Sequence, residues 1–348
     1  MKPTIPGRLH AQALSEPRLD GAAAVVRHLG CVQSQLPEMS LWALARRAPG
    51  LTLADLVATL GSGEILRTHV LRPTWHLVDP DDIHWLLALT APRIRRLLGT
   101  ADRANGFDEA RRDRCTEVVV ASVADGVPRT RAEIADDLEQ TGLPHTGQAL
   151  AHVLMHAEIE ALVASGPMRG KQHTYVPLAP RPVPASYDEL LESVAVRYAR
   201  GHGPFRDRDL AWWTSLTLTD SRSAIERAGM RPLEIDGDTY WTLDDPVDAP
   251  VPDVMLLPNF DEYISYARDP QDFGRYGGSA DDIARVSGLL MVDGLLGGTW
   301  TRSVAARTVT IAVRPSGRVT TRLRRGLERE AAAYARFVER RPVLTVVA

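Results

Sequence analysis

Lysine is nearly missing from this chain: of 41 basic residues only Lys2 and Lys171 are lysine, so almost every positive charge is a guanidinium. That group suits planar, bidentate contact with phosphate, although drift toward arginine codons would leave the same record. Cysteine is equally scarce. Cys31 and Cys115 are the whole complement, which excludes a disulfide framework and suits a reduced compartment. Cys31 has no basic neighbour in sequence and reads as a small buried hydrophobe rather than a nucleophile. With no Cys-x-x-Cys pair and no His-Glu-x-x-His helix, neither a metal nor a cofactor is expected. His69, His76 and His84 are expected on a wing and a helix surface, not as ligands. No apolar run reaches transmembrane length, and none stands before a cleavage site at the N-terminus. A cytoplasmic protein without membrane contact is the expectation.

Net charge is also low. At −3, the chain is not the basic protein that a dedicated nucleic-acid binder often is. Distribution matters more than the sum. Acidic residues gather between Asp236 and Glu262, with no Lys or Arg between Arg231 and Arg268. The rest is relatively more positive, which allows a locally basic groove.

What the sequence does contain, at 348 residues and 44% hydrophobic, is enough for two or three domains. Its sharpest chemical hint is Gly30-Cys31-Val32-Gln33-Ser34-Gln35-Leu36-Pro37. Two neutral amides at i and i+2 point roughly 200° apart on a helix but to one side in extended backbone. Pro37 biases Leu36 away from helical angles, so Gln33 and Gln35 are expected to converge in a short non-helical link. The bland alternative is that each glutamine only hydrogen-bonds its neighbours.

Around this link runs an order that repeats. Ala22 to Leu29 reads as a helix, Ser40 as the N-cap of the next, Leu53 to Leu60 as a third, and Ile65 to Val70 with Thr74 to Val78 as a hairpin turning at Arg72-Pro73. Helical material follows from Asp81 to Leu98 and from Asp108 to Ala124. The second copy starts at Thr130, capping Arg131 to Gln140 with Glu133 completing a capping box. It continues with Thr146 to Glu158 and strands at Ala161 to Val163 and His173 to Val176, around turns at Ser165-Gly166-Pro167 and Arg169-Gly170. A third copy has helices at Asp207 to Trp213 and from a Thr219 cap to Ala228, then a hairpin turning at Asp236-Gly237-Asp238. Strands at Val254 to Leu257, Leu289 to Val292, Leu295 to Trp300 and Thr308 to Val313, a helix at Leu327 to Glu339 and a last strand close the chain. The expected fold class is α+β, mainly α: three tandem winged helix-turn-helix units and a small β-rich C-terminal domain, divided at 1–125, 126–184, 185–250 and 251–348.

Four blocks carry a specific resemblance: Leu29 to Gln35, Arg67 to Val78, Leu256 to Tyr263, and Val292-Asp293-Gly294 with Gly298-Thr299-Trp300. In their order and separation the chain resembles the winged-helix DNA-binding family of the AlkZ-type DNA glycosylases over nearly its whole length. The resemblance implies winged units arranged around a concave channel, monofunctional glycosylase activity on alkylated double-stranded DNA, and an active centre of two polar residues flanking a small or, more usually, aliphatic one. Those two fall on Gln33 and Gln35. Ser34 departs from the aliphatic residue and Pro73 from a glycine of the family pattern. Pro73 removes a donor and fixes φ, so the hairpin presenting His76 is expected to be reshaped.

Two carboxamides fit such chemistry. A purine alkylated at N7 is already cationic and leaves as a neutral base, so what remains is to steady an oxocarbenium-like sugar and aim a water. Arg72, Arg93, Arg96 and Arg322 are candidate phosphate contacts, and His76 a DNA-contacting or positioning residue. Trp75 is expected in the core, and Asp261 and Tyr263 as structural supports. The rival class is a non-catalytic DNA-binding regulator. Its recognition helix would be Thr146 to Glu158, with His145, Gln148, His152 and His156 but no Arg or Lys, a poor reader of guanine. Three unlike units in one chain also suit a monomer better than a palindrome-binding dimer.

Overall fold

Capping chemistry decides where several helices begin. Thr52, Thr130, Ser186 and Thr217 each accept a backbone N–H three residues on, from Asp55, Glu133, Glu189 and Asp220, whose carboxylates bond back to the cap. Each such reciprocal cap satisfies two donors that the first helical turn leaves orphaned. The computed structural model describes residues 4–170, 172–245, 247–265 and 287–347. It is a mixed helix and strand fold.

One order of elements recurs three times. In the first stretch α1 (Thr4–Ala11) and α2 (Ala22–Leu29) precede β1 (Val32–Gln33), α3 (Pro37–Ala45), α4 (Leu53–Ser62) and a hairpin of β2 (Leu66–His69) and β3 (Trp75–Val78). After the long α5 (Ile83–Ala104), the second has α6 (Glu109–Val123), β4 (Arg129–Thr130), α7 (Arg131–Gln140), α8 (Gly147–Ile159), β5 (Val163–Arg169) and β6 (Gln172–Pro177). In both, the short strand pairs with the second hairpin strand, giving sheet orders β1-β3-β2 and β4-β6-β5. The third has α9 (Tyr187–His202), α10 (Asp207–Thr214), α11 (Leu218–Arg227), β7 (Arg231–Ile235) and β8 (Asp238–Thr242). There a single bridge from Phe205 to Trp241 stands in for the short strand.

The C-terminal part is a five-stranded sheet ordered β13-β12-β11-β10-β9. Its members are β9 (Val254–Leu257), β10 (Gly288–Val292), β11 (Leu295–Val304), β12 (Thr308–Pro315) and β13 (Arg341–Val346), with α12 (Glu262–Ser265) after β9 and α13 (Thr321–Phe337) before β13. Asp293 and Gly294, at φ 49° and 76°, make the tight β10–β11 turn that an Asp-Gly pair favours. β9 is an edge strand, yet its backbone is not left open. Trp42 donates its indole N–H to Leu256 O at 2.8 Å, and Glu330 accepts the Leu256 N–H at 2.8 Å. This docks α3 and α13 on β9, and the chain leaving β9 runs directly to the site described below.

Four local expectations are corrected. α3 begins at Pro37, which suits a first helical position, so Ser40 is buried inside the helix instead of capping it. The α11 cap is Thr217, not Thr219, because the carboxylate three residues on belongs to Asp220. Ser165 and Gly166 are paired strand residues opposite Tyr175 and Thr174, and the chain reverses only after Arg169. α13 starts at Thr321, six residues before the expected position, on the Thr320 cap.

Among the described residues, the buried apolar side chains gather in three clusters. One joins α1, α5, α9 to α11, β9 and β10, a second joins α2 to α4 with the C-terminal sheet and α13, and a third is confined to the second stretch.

Candidate active site

Gly30 opens the link. At φ 84° it ends α2, and a Cβ there would meet the Arg197 side chain at 2.8 Å and Trp213 at 3.2 Å. Only glycine lets α9 and α10 come this close to the turn. The chain then runs extended: Val32 and Gln33 pair with Leu77 and His76, and Ser34 N–H continues the ladder to Trp75 O at 2.6 Å. Extended backbone alternates its side chains. Ser34 points into the protein, fully buried, its Oγ 2.8 Å from Ser40 Oγ and 3.2 Å from the Arg67 Nε that donates to it. The hydroxyl that departs from the family pattern is therefore satisfied by partners in this chain.

Gln33 and Gln35 flank it and are each anchored by the amide oxygen. Arg72 Nη2 donates to Gln33 Oε1 at 3.1 Å, and Trp75 N–H donates to Gln35 Oε1 at 2.9 Å. Both partners are obligate donors, so chemistry assigns the oxygens and leaves each NH2 turned the other way. Each oxygen keeps a second lone pair. Gln33 is 9% exposed and Gln35 half-buried.

Arg72 is not the phosphate contact expected, nor a solvated turn residue. It is buried, donating Nη1 to Trp213 O at 2.8 Å and Nη2 to His76 Nε2 at 3.1 Å as well as to Gln33. Two three-residue turns put it there: Arg72 N–H donates to Val70 O and Thr74 N–H to Arg72 O, both at 2.7 Å, with Leu71 at φ 66°. Pro73, whose nitrogen has no proton to give, sits between them. His76, expected as a DNA-contacting or positioning residue, is wholly buried beside Arg72. Its Nε2 accepts from Arg72 and its Nδ1–H donates to Thr74 O at 2.9 Å, which fixes the neutral tautomer. Burial, and after it the Arg72 charge, pushes this imidazole down to about 3.

The remaining wall comes from far along the chain. Phe260, at φ 61°, turns the strand exit so that Asp261 and Glu262 face inward, both fully buried. Asp261 accepts from Arg47 Nη2 at 2.7 Å and Nη1 at 3.0 Å, and Tyr263 donates its hydroxyl to Gly294 O at 2.9 Å. Glu262 accepts the Gln33 N–H at 2.8 Å and the Trp213 indole N–H at 2.9 Å, with His202 Nε2 at 3.2 Å. Burial alone would raise this carboxyl. The His202 contact and the Arg72 charge outweigh it and hold Glu262 down to about 2.

Glu262, His202, Trp213 and Arg67 were not expected as residues of the site. Glu262 had a signal, as the one acid between Asp261 and Tyr263 that received no role. His202 and Trp213 had none, since nothing in their neighbourhood ties them to position 33. Trp75, expected in the core, is half-buried, with the Arg67 guanidinium 4.4 Å from its ring centroid and the His69 ring tilted against it at 43°, 4.3 Å between centroids. His69 in turn pairs with Glu158 of α8. Trp75, Arg67 and Pro37 border a cleft of about 670 Å3 whose far wall is α7, α8 and the β6 residues His173 and Tyr175. His84, expected on a helix surface, is buried.

Of the other arginines, Arg93 donates to Ser215 O at 3.3 Å and Arg96 is exposed. Arg322, expected as a phosphate contact, is exposed and pairs with Asp293 at 2.7 Å. Cys31 is buried, and burial raises its thiol. Among the described residues no group of three His, Cys, Asp or Glu side chains could hold a metal ion, and no helix is long and apolar enough to cross a membrane.

Comparison with known proteins gives one family. A family model described as DNA glycosylase AlkZ-like matches residues 26–337. The chain is 25% identical to an interstrand DNA cross-link repair glycosylase of Streptomyces sahachiroi over 373 aligned residues, covering 97% of each. The solved structure of Streptomyces sahachiroi DNA glycosylase AlkZ matches with a TM-score of 0.78 at 22% identity, covering 100% of both chains, a likeness of fold.

Proposed function

The chain belongs to the AlkZ-like DNA glycosylase family, and on that premise we propose that it hydrolyses the N-glycosidic bond of N7-alkylated purines in duplex DNA, bulky or cross-linked lesions included. It acts as a monofunctional enzyme without a cofactor. The three repeated stretches are winged helix-turn-helix units lining a concave channel for the duplex, in a protein that works as a monomer.

The observation that carries this is the pair of anchored carboxamides. Gln33 and Gln35 are held by oxygen through Arg72 and the Trp75 N–H, so neither needs to reorganise when substrate arrives. Each still presents an oxygen lone pair and two N–H donors. Between them they can orient a water toward the anomeric carbon and grip a sugar or phosphate oxygen. An amide is a negligible base. The chemistry therefore suits a base that departs unaided, as a cationic N7-alkylpurine does, and not uracil or an undamaged purine.

A sequence-reading regulator is disfavoured. His152 and His156, two of the polar residues available on α8, are turned inward onto Asp102 at 3.1 and 3.0 Å. They cannot reach base edges in a major groove.

Base release from duplexes carrying a single 7-methylguanine, a bulky N7-purine adduct or uracil tests the proposal. Release of both alkylated purines with uracil retained is expected, together with its loss in Q33A and Q35A. Faster release of uracil, or tight binding to one undamaged sequence without base release, overturns it.

A further inference from the structure

Glu262 is a buried carboxylate on which donors converge from three parts of the chain: the Gln33 main chain, the Trp213 indole and His202. A carboxylate this deep is costly unless charge and hydrogen bonds compensate it. Here they do. Gln33 N–H and Trp213 Nε1–H can only donate, so the two oxygens facing them must accept, as the ionised form does. Arg72 is buried in the same cluster, bonded to the carbonyl of the Trp213 that donates to Glu262, and the Glu262 charge works against the burial that lowers the pKa of that guanidinium. Arg72 is also the group that grips the Gln33 amide oxygen.

Glu262 thus reaches Gln33 by two routes. One is direct, through the main-chain N–H. The other passes through Arg72, which without a negative neighbour would be an unpaired buried cation and would give up its place. We infer that Glu262 is a positioning residue for glycosidic cleavage: its negative charge fixes the Gln33 backbone and retains the arginine that orients the Gln33 carboxamide. This rests on the role proposed above for Gln33. Glu262 does not touch the reacting atoms, and Trp213, through its indole N–H, supports it in turn.

The test is single-turnover release of 7-methylguanine by the full chain, with duplex affinity measured in parallel, for E262Q, W213F, Q33A and the two doubles with Q33A. E262Q keeps the size and one acceptor oxygen but removes the charge. Its release rate is expected to fall on the order of 10²-fold with duplex affinity unchanged, the scale of a misplaced catalytic group. W213F keeps the Trp213 carbonyl that holds Arg72 and removes one donor to Glu262, giving a smaller loss of the same kind. In the Q33A background neither substitution lowers the rate further, because a residue acting through Gln33 has nothing left to act on. E262D, which keeps the charge, recovers part of the rate.

A wild-type rate in E262Q or W213F while Q33A is impaired overturns the inference and leaves the role of Gln33 intact. So does a loss of equal size with and without Gln33. Should E262Q fail to fold, W213F and its double carry the same comparison. If Q33A itself releases 7-methylguanine as fast as wild type, the premise about Gln33 fails, and the inference with it.

Discussion

Trp75 donates its main-chain N–H to the Gln35 amide oxygen, so the first hairpin and the glutamine link hold one another in place. The same glutamine therefore has a structural end and a chemical end. Q35E separates them, since a carboxylate still accepts from Trp75 while offering no N–H to water or sugar. Its thermal midpoint should match wild type while 7-methylguanine release falls on the order of 10²-fold. A normal rate in Q35E would make the residue a spacer.

Arg47 and Asp261 form a two-pronged ion pair with neither side chain exposed. It ties α3 to the turn that delivers Glu262. D261A leaves a buried guanidinium without its charge partner and should cost about 3–5 kcal/mol in urea unfolding, the usual penalty for breaking a buried pair. A loss below about 1 kcal/mol, typical of an exposed pair, would mean that the pair does not brace the site.

Acid should destabilise this protein in two stages. His76 is held down to about 3 against an ordinary 6.5, so below pH 6.5 the unfolded chain binds a proton that the folded chain refuses. Its contribution is complete above pH 6.5 and is lost as pH falls toward 3. Glu262, held down to about 2, adds the same sign of loss between about pH 4.5 and 2. Each group contributes a slope of at most about 1.4 kcal/mol per pH unit within its window. Urea unfolding from pH 8 to 4 measures the first stage, in the part of the His76 window above the Glu262 window. H76Q should flatten the curve between pH 6.5 and 4.5, and an unchanged slope there would exclude His76 as its source.

Salt dependence should distinguish the arginines. Arg96 is exposed with no ion-pair partner among the described residues, whereas Arg322 is engaged by Asp293. If Arg96 meets a phosphate, R96A lowers the salt slope of duplex binding by about one unit. R322A should leave it unchanged. Equal slopes for wild type and R96A would remove Arg96 from the duplex contact.

The helix starts at Thr130 and Asp108, the Asp293-Gly294 turn and the extended link before Pro37 were legible because each is decided within a few residues. Capping, φ preference and proline sterics act locally. Ser40 and Thr219 were misassigned within the same rules, because the neighbouring Pro37 and Asp220 make better first-turn chemistry. The burial of Arg72 was not legible for a different reason. A hairpin arginine normally lies in water, and only the approach of α10 and the strand exit turns this one inward.

The amino-acid order by itself determined the repeated helix and hairpin pattern and the pairing of two amides on one side of extended backbone, since period and local sterics need no partner. Tertiary structure alone decided that those amides are held by Arg72 and Trp75, and that a carboxylate 229 residues away stays charged at the Gln33 backbone. Burial raises the cost of every unpaired charge and so makes each group's state depend on neighbours that the linear sequence does not identify.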